Sequence, residues 1–250
     1  MEFGGSFGWG LLAGSSLVVG ALIAFLFSIP LRVIGLIMGF GAGVLISAVA
    51  FDLVDEAVEK SVGNGWTIAG LFAGCLVFFA GDRLIDHLGG GDRKDATGAH
   101  EEGDEGGSPL SIVLGTVLDG IPESMVIGLA IYEGGAVGAA YLAAVFISNV
   151  PESISATSGL LASGWQKSKI MWMWIGIAFV SALSSLAGYS LFQEASPDVN
   201  AFVLTFAAGA ILTMLANTMM PEAFEHGGKL VGVMVVLGFT AAFTIHLLDM

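Results

Sequence analysis

The chain has 250 residues, of which 55% are hydrophobic and only 12% charged, and its net charge is −14. A soluble domain usually carries about 25% charged residues, so this chain could not cover a water-facing surface and reads as a membrane protein. The balance of 22 Asp+Glu against 8 Lys+Arg argues against nucleic acid as a partner; it fits either an acidic surface or a path that attracts cations. The single cysteine, Cys75, lies in an apolar run. It excludes a disulfide framework and a cysteine-rich metal site, and reads as a packed helix residue.

A spanning helix needs about 20 mostly apolar residues. On that measure the chain predicts eight spans, at 7–29, 32–57, 66–86, 108–132, 135–164, 168–193, 198–224 and 228–249. The first run is too long for a signal-peptide core and lacks a basic lead-in, so it is kept as a span. Ser108-Pro109 and Ser196-Pro197 each place a capping hydroxyl before a helix-starting proline. The one long polar segment is 87–107, HLGGGDRKDATGAHEEGDEGG. Its glycine and charge predict a flexible loop between helices 3 and 4. His87, His100 and the six acids from Asp92 to Glu105 could bind metal weakly, or the segment could serve only as a solvated linker.

With eight spans, Arg32, Arg83, Arg93, Lys94, Lys167, Lys169 and Lys229 fall on one side of the membrane and only Lys60 on the other. Basic residues favour the cytoplasmic side, so both termini are expected outside the plasma membrane and the 87–107 loop inside. The whole chain reads as one transmembrane domain.

Two internal repeats stand out. LDGIPESMVIG (118–128) resembles ISNVPESISAT (147–157), and FDLVDEAVEK (51–60) resembles NTMMPEAFEH (217–226). The members of the second pair lie on helices running in opposite directions, which is the pattern of an inverted repeat. The expected fold is an all-α integral membrane protein in a 3+2+3 arrangement, with helices 1–3 and 6–8 as inverted repeats. Asp52, Asp55 and Glu56 would then lie at the outer mouth of a path. Asn217, Glu222, Glu225 and His226 would lie at the inner mouth.

The chemistry concentrates in helices 4 and 5. Asp119 and Glu123 lie near the middle of one, and Ser148, Asn149 and Glu152 near the middle of the other. A carboxylate at the bilayer centre costs roughly 2.5–3.5 kcal/mol on insertion scales. No Lys or Arg lies at that depth, so the acids are protonated, hydrated or paired with a cation from outside the chain. Asp119 and Glu123 are spaced i, i+4, as are Ser148 and Glu152, so each pair shares a helix face. Pro122, Pro151 and Pro221 free the carbonyls of Leu118, Ile147 and Asn217, and each proline directly precedes a glutamate. Freed carbonyls at this depth need protein, water or an ion to satisfy them. Met219, Met220 and Trp172-Met173-Trp174 read as lipid-facing or packing residues.

Asp119-Gly120-Ile121-Pro122-Glu123-Ser124 and Ser148-Asn149-Val150-Pro151-Glu152-Ser153 resemble the helix-4 and helix-5 motifs of the ZIP (Zrt/Irt-like) metal transporters. The helix-4 signature there is His-Asn-x-Pro-Glu-Gly, and the resemblance extends over essentially the whole chain. It implies eight helices with outside termini and a variable cytoplasmic loop between helices 3 and 4. It implies transport of divalent metal into the cytoplasm, usually zinc, sometimes iron, manganese or cadmium. It also implies an elevator or rocking movement of helices 1, 4, 5 and 6 against the rest. The family is often dimeric, which makes a homodimer the expected assembly. The metal is cargo; no cofactor and no enzymatic activity are expected.

The sequence departs from the family pattern at Asp119, where the family has histidine, and at Gly120, where it has asparagine. Helix 6 offers Ser181, Ser184 and Ser185 rather than a carboxylate, so one principal metal site is expected rather than two. Oxygen donors are hard ligands and bring manganese into competition with zinc. Two other readings use the same residues: a proton-coupled carrier of another solute, and a metal-dependent intramembrane hydrolase. The hydrolase lacks well-placed ligands, since His87, His100, His226 and His246 all fall in loops or near helix ends. A non-transporting metal sensor is a further alternative.

Overall fold

The computed structural model describes residues 2–61, 65–85, 87, 109–132, 139–192 and 195–249. Every regular element among them is helical. α1 is Glu2–Leu26 and α2 is Leu31–Ala48; α2 passes through a π-helical turn, Val49–Asp55, into α3, Glu56–Lys60. α4 is Trp66–Ile85, α5 is Pro109–Tyr132, α6 is Ala139–Ala162 and α7 is Lys167–Leu191. α8, Pro197–Met214, passes through a second π-turn, Leu215–Met219, into α9, Met220–Gly227; a 3₁₀ turn, Gly228–Leu230, leads into α10, Val231–Asp249.

The helix ends have local causes. Pro30 caps α2 with ψ at 137°, and the residue before a proline is biased away from helix, so the chain breaks after α1. Ser196 caps α8 as its sequence suggests, its hydroxyl accepting from the Val199 N–H at 3.4 Å. Ser108 lies outside the described residues. Gly164, at φ 81°, closes α6: its N–H bonds the Leu161 carbonyl while the Trp165 N–H bonds that of Leu160, a left-handed glycine cap.

Among the described residues, six helical stretches are long and apolar enough to cross a membrane: Gly5–Leu26, Leu31–Lys60, Trp66–Ile85, Val113–Ile131, Lys167–Leu191 and Pro197–Leu248. α6 matches them in length, at 24 residues. It falls short in apolarity because Ser148, Asn149, Glu152, Ser153, Ser155 and Thr157 interrupt it. The expected helix boundaries agree with the structure to within a few residues. The π-turns in α2–α3 and α8–α9 were not expected.

The helices fall into two packed groups. In one, α1 packs on α5, α6 and α7, and α5 on α7. In the other, α2 packs on α9 and α10, and α8 on α3 and α4. The groups meet where α2 and α10 touch α6 and where α8 touches α5.

Lipid tails are as apolar as side chains, so helices in a bilayer associate through close packing, and small residues let backbones approach. Within each group the closest contacts are glycine against backbone. A Cβ on Gly43 or Gly238 would strike the Val235 or Phe40 carbonyl across the α2–α10 seam. One on Gly74 or Gly209 would strike the Phe206 or Leu71 carbonyl across α4–α8. Gly128 and Gly188 do the same for Ser185 and Met125 across α5–α7.

Alanine at Gly74 or Gly238 is therefore expected to cost about 1–3 kcal/mol through overpacking and to lower the melting temperature of the detergent-purified protein. Gly176→Ala should leave it unchanged, because a Cβ there meets nothing within 4 Å. Equal melting of all three variants would refute the backbone contacts.

Candidate functional site

Asp119 and Glu123 lie on α5 and are 5% and 2% exposed. Ile121, well round the helix from both, is exposed, so the acids face inward and the isoleucine outward. On α6, Ser148 and Glu152 are buried and Asn149 is half-buried. α5 and α6 have 24 residues each, about 36 Å at 1.5 Å per residue. The six residues 133–138 cannot span that length, so the two helices are antiparallel. Each proline sits near the middle of its helix.

Two contacts place α6. The Tyr141 hydroxyl donates to the Glu123 carbonyl at 3.3 Å, tying the start of α6 to the middle of α5. Gly41 of α2 lies against the middle of α6: a Cβ there would meet the Ser148 Cα at 3.1 Å and the Pro151 ring at 3.6 Å. Both motifs thus lie where the two helix groups adjoin. α5 and α6 touch each other only lightly and lean separately on α1. Among the described residues no group of three or more His, Cys, Asp and Glu side chains stands close enough to hold a metal ion. Among the described residues the structure therefore buries the expected carboxylates on two helices without gathering three of them around one point.

The hydroxyls of the motifs have structural partners. Ser148 donates to the Val145 carbonyl and Ser153 to that of Val150, each at 3.0 Å. Ser153 also packs against Gly20 of α1, so the serine after Glu152 serves the α1–α6 seam. Of the three α7 serines, Ser185 donates to the Ser6 carbonyl at 2.8 Å and Ser184 to that of Val180 at 2.9 Å. Only Ser181 approaches the α5 motif; its hydroxyl would lie 3.8 Å from a Cβ on Gly120, with nothing else within 4 Å.

The acids expected at the two mouths divide sharply. Asp52 lies in the first π-turn, and its Oδ1 is 2.9 Å from His246 Nδ1 on α10. Glu56 is bound by Lys60 at 2.7 Å, and Asp55 is exposed. At the other patch, Glu222 accepts a 2.7 Å hydrogen bond from Ser155, three residues beyond Glu152. Asn217 and Glu225 are exposed and His226 is half-buried. His87 is exposed; His100 and the acids from Asp92 to Glu105 lie outside the described residues.

His246, Ser155 and Tyr141 carry contacts to the expected residues that sequence reasoning missed. Each is an ordinary helix residue in the sequence, and its role arises only when helices distant in the chain pack. The π-turns also had no sequence signal beyond the acids they carry, although such turns are frequent at functional sites. Trp172 is exposed, whereas Trp174 is buried with its indole N–H on the Thr157 hydroxyl at 2.9 Å. Met219 is buried beside Gly41 and Met220 is exposed. All four match the reading of lipid-facing or packing residues.

No protein-family model matches the chain. It is similar to the zinc transporter ZTP29 of Arabidopsis thaliana, at 26% identity over 89% of this chain and 86% of that protein. It is also similar to the zinc transporter ZupT of Enterobacter sp. (strain 638), at 24% identity over 86% of this chain and 85% of that protein. Both relatives are transporters rather than enzymes. The similarity to these two zinc transporters extends over most of the chain, as the resemblance drawn from the Pro-Glu motifs implies.

Proposed function

We propose that this chain moves divalent metal cations across the cell membrane toward the cytoplasm, by way of Asp119, Glu123, Ser148, Asn149 and Glu152. The observation that carries the reading is the burial of the acids of two Pro-Glu motifs on α5 and α6, with no Lys or Arg buried among the described residues. A transported cation supplies positive charge beside the buried acids. Because no group of three acids converges among the described residues, the ion is held by the Asp119/Glu123 pair or by Glu152 with its neighbours, and a shift of one helix against the other would bring the sets together. The movement of α1, α5, α6 and α7 against the rest that the resemblance implies would have to slide the α2–α6 contact.

In this reading the chain crosses the bilayer eight times, in a 3+2+3 arrangement. The 52-residue stretch Pro197–Leu248 is far longer than one crossing needs, and the chain turns at Gly228, with φ at 62°, between α9 and α10. α6, polar because it carries the site, is the remaining crossing. The inverted repeat of helices 1–3 and 6–8 has two supports. Each π-turn begins two residues before its copy of the repeated acidic segment, Val49 before Phe51 and Leu215 before Asn217. The glycine–carbonyl contacts across α2–α10 are also mirrored across α8–α4.

The basic residues put both termini outside, the Asp52–Asp55–Glu56 patch at the outer mouth and the Asn217–Glu222–Glu225–His226 patch at the inner one. The assembly is a homodimer. Zinc is the first cargo to test, given the relatives' names; manganese, iron and cadmium follow, since an all-oxygen centre is harder than one with imidazole.

Uptake of Zn²⁺, Mn²⁺, Fe²⁺, Cd²⁺ and Mg²⁺ into reconstituted vesicles tests this. Glu123→Ala and Glu152→Ala are each expected to abolish uptake while melting as the parent does; two variants that transport normally would eliminate the site. Asp119→His is expected to shift the metal ranking toward zinc. An unchanged ranking would remove Asp119 from the ligand set.

A further inference from the structure

Away from the metal path, α5 and α7 enclose a groove of about 780 Å³, within the range of ligand-sized sites. Its walls are Val113 and Val117 of α5 and Trp172 and Gly176 of α7, with Trp165 at its end. Trp172 is 72% exposed, and a side chain built on Gly176 would enter open space. Among the described residues, its polar lining comes from Ser168 and Lys169, in the first turn of α7, and from the tryptophan indoles, and none of its lining residues is acidic.

Charge separates this rim from the rest of the molecule. The chain is strongly acidic, yet here it presents a cation. Lys167, two residues earlier, is already engaged: its ammonium donates to the Phe25 carbonyl at 2.9 Å and lies over the Phe25 ring. That leaves Lys169 to serve the groove. The first turn of α7 has no side-chain cap, so its N–H groups add positive potential at the same end. Tryptophan pairs of this kind mark the level of lipid headgroups.

We propose that the groove is a binding site for an anionic phospholipid. Its phosphate sits on Lys169, Ser168 and the α7 N-terminus, and one acyl chain lies along Val113, Val117 and Gly176. The proposal needs only that the helices lie in a bilayer and does not depend on the metal reading.

The test is native mass spectrometry of the full chain in detergent, with phosphatidylglycerol and phosphatidylcholine of matched acyl chains. The parent protein should retain phosphatidylglycerol about fivefold over phosphatidylcholine, the effect expected of one lysine at an anionic surface. Lys169→Ala should remove that preference and Lys169→Arg keep it. Gly176→Leu should reduce retention of both lipids with an unchanged melting temperature. Equal retention of both lipids by the parent, or an undiminished preference in Lys169→Ala, would overturn the proposal. So would Gly176→Leu converting a dimer to a monomer, which would make the groove a contact between copies of this chain.

Discussion

Close approach of glycine to a neighbouring helix's backbone is the interaction on which the rest of this molecule depends. Packing holds helices together in lipid, where burial of apolar surface contributes nothing extra. Each group is tied by contacts in which a Cα hydrogen faces a carbonyl, as at Gly74 against Phe206 and Gly128 against Ser185. Such seams have no flexible side chain to yield. Between the groups the glycines meet different partners. Beside the Pro-Glu motifs the contacts are mixed: Gly41 of α2 meets the Ser148 Cα and the Pro151 ring, whereas Gly81 of α4 meets Leu118 side-chain atoms.

Much of this was legible because it is written locally. Hydropathy fixes where helices run, since a spanning segment must satisfy its own backbone and hide its polar groups. Ser196 caps α8 through its neighbour three residues on. The burial of Asp119, Glu123 and Glu152 fits their place within apolar helices. What was not legible depends on which helix lies beside which. His246 looked like a helix-end residue, yet it meets Asp52. Ser155 looked like one of several hydroxyls on α6, yet it holds Glu222. The π-turns arise inside sequences whose hydropathy is that of unbroken helices. A single extra residue in a turn leaves no compositional trace.

The donors counted from the sequence also overstate what is available. Ser148 has the right spacing from Glu152, but its hydroxyl proton is directed to the Val145 carbonyl. Its oxygen keeps lone pairs for a cation, and its orientation is set by the helix. Ser153 is consumed by the α1–α6 seam. The space beside Gly120 has the opposite character. Asparagine in the family's place would fill it, whereas here only the Ser181 hydroxyl stands near. Loss of one donor on α5 and absence of an acid on α7 leave the proposed centre dependent on its three carboxylates.

The basic residues complete the electrostatic argument. Lys60 neutralises Glu56, Lys167 binds the end of α1, and Arg83 lies over the Phe79 ring at 5.0 Å. All three are at helix ends, and none reaches the buried motifs. A fixed lysine there would offset the charge of Glu123 or Glu152 permanently and leave nothing for a cation to gain by entering. Burial makes a carboxylate's charge costly, and on the proposed path a cation would lower that cost. The mouths of that path differ in what holds their acids: an imidazole at Asp52, a neutral hydroxyl at Glu222. Unlike ends of this kind would bind the same ion differently on the two sides of the proposed path.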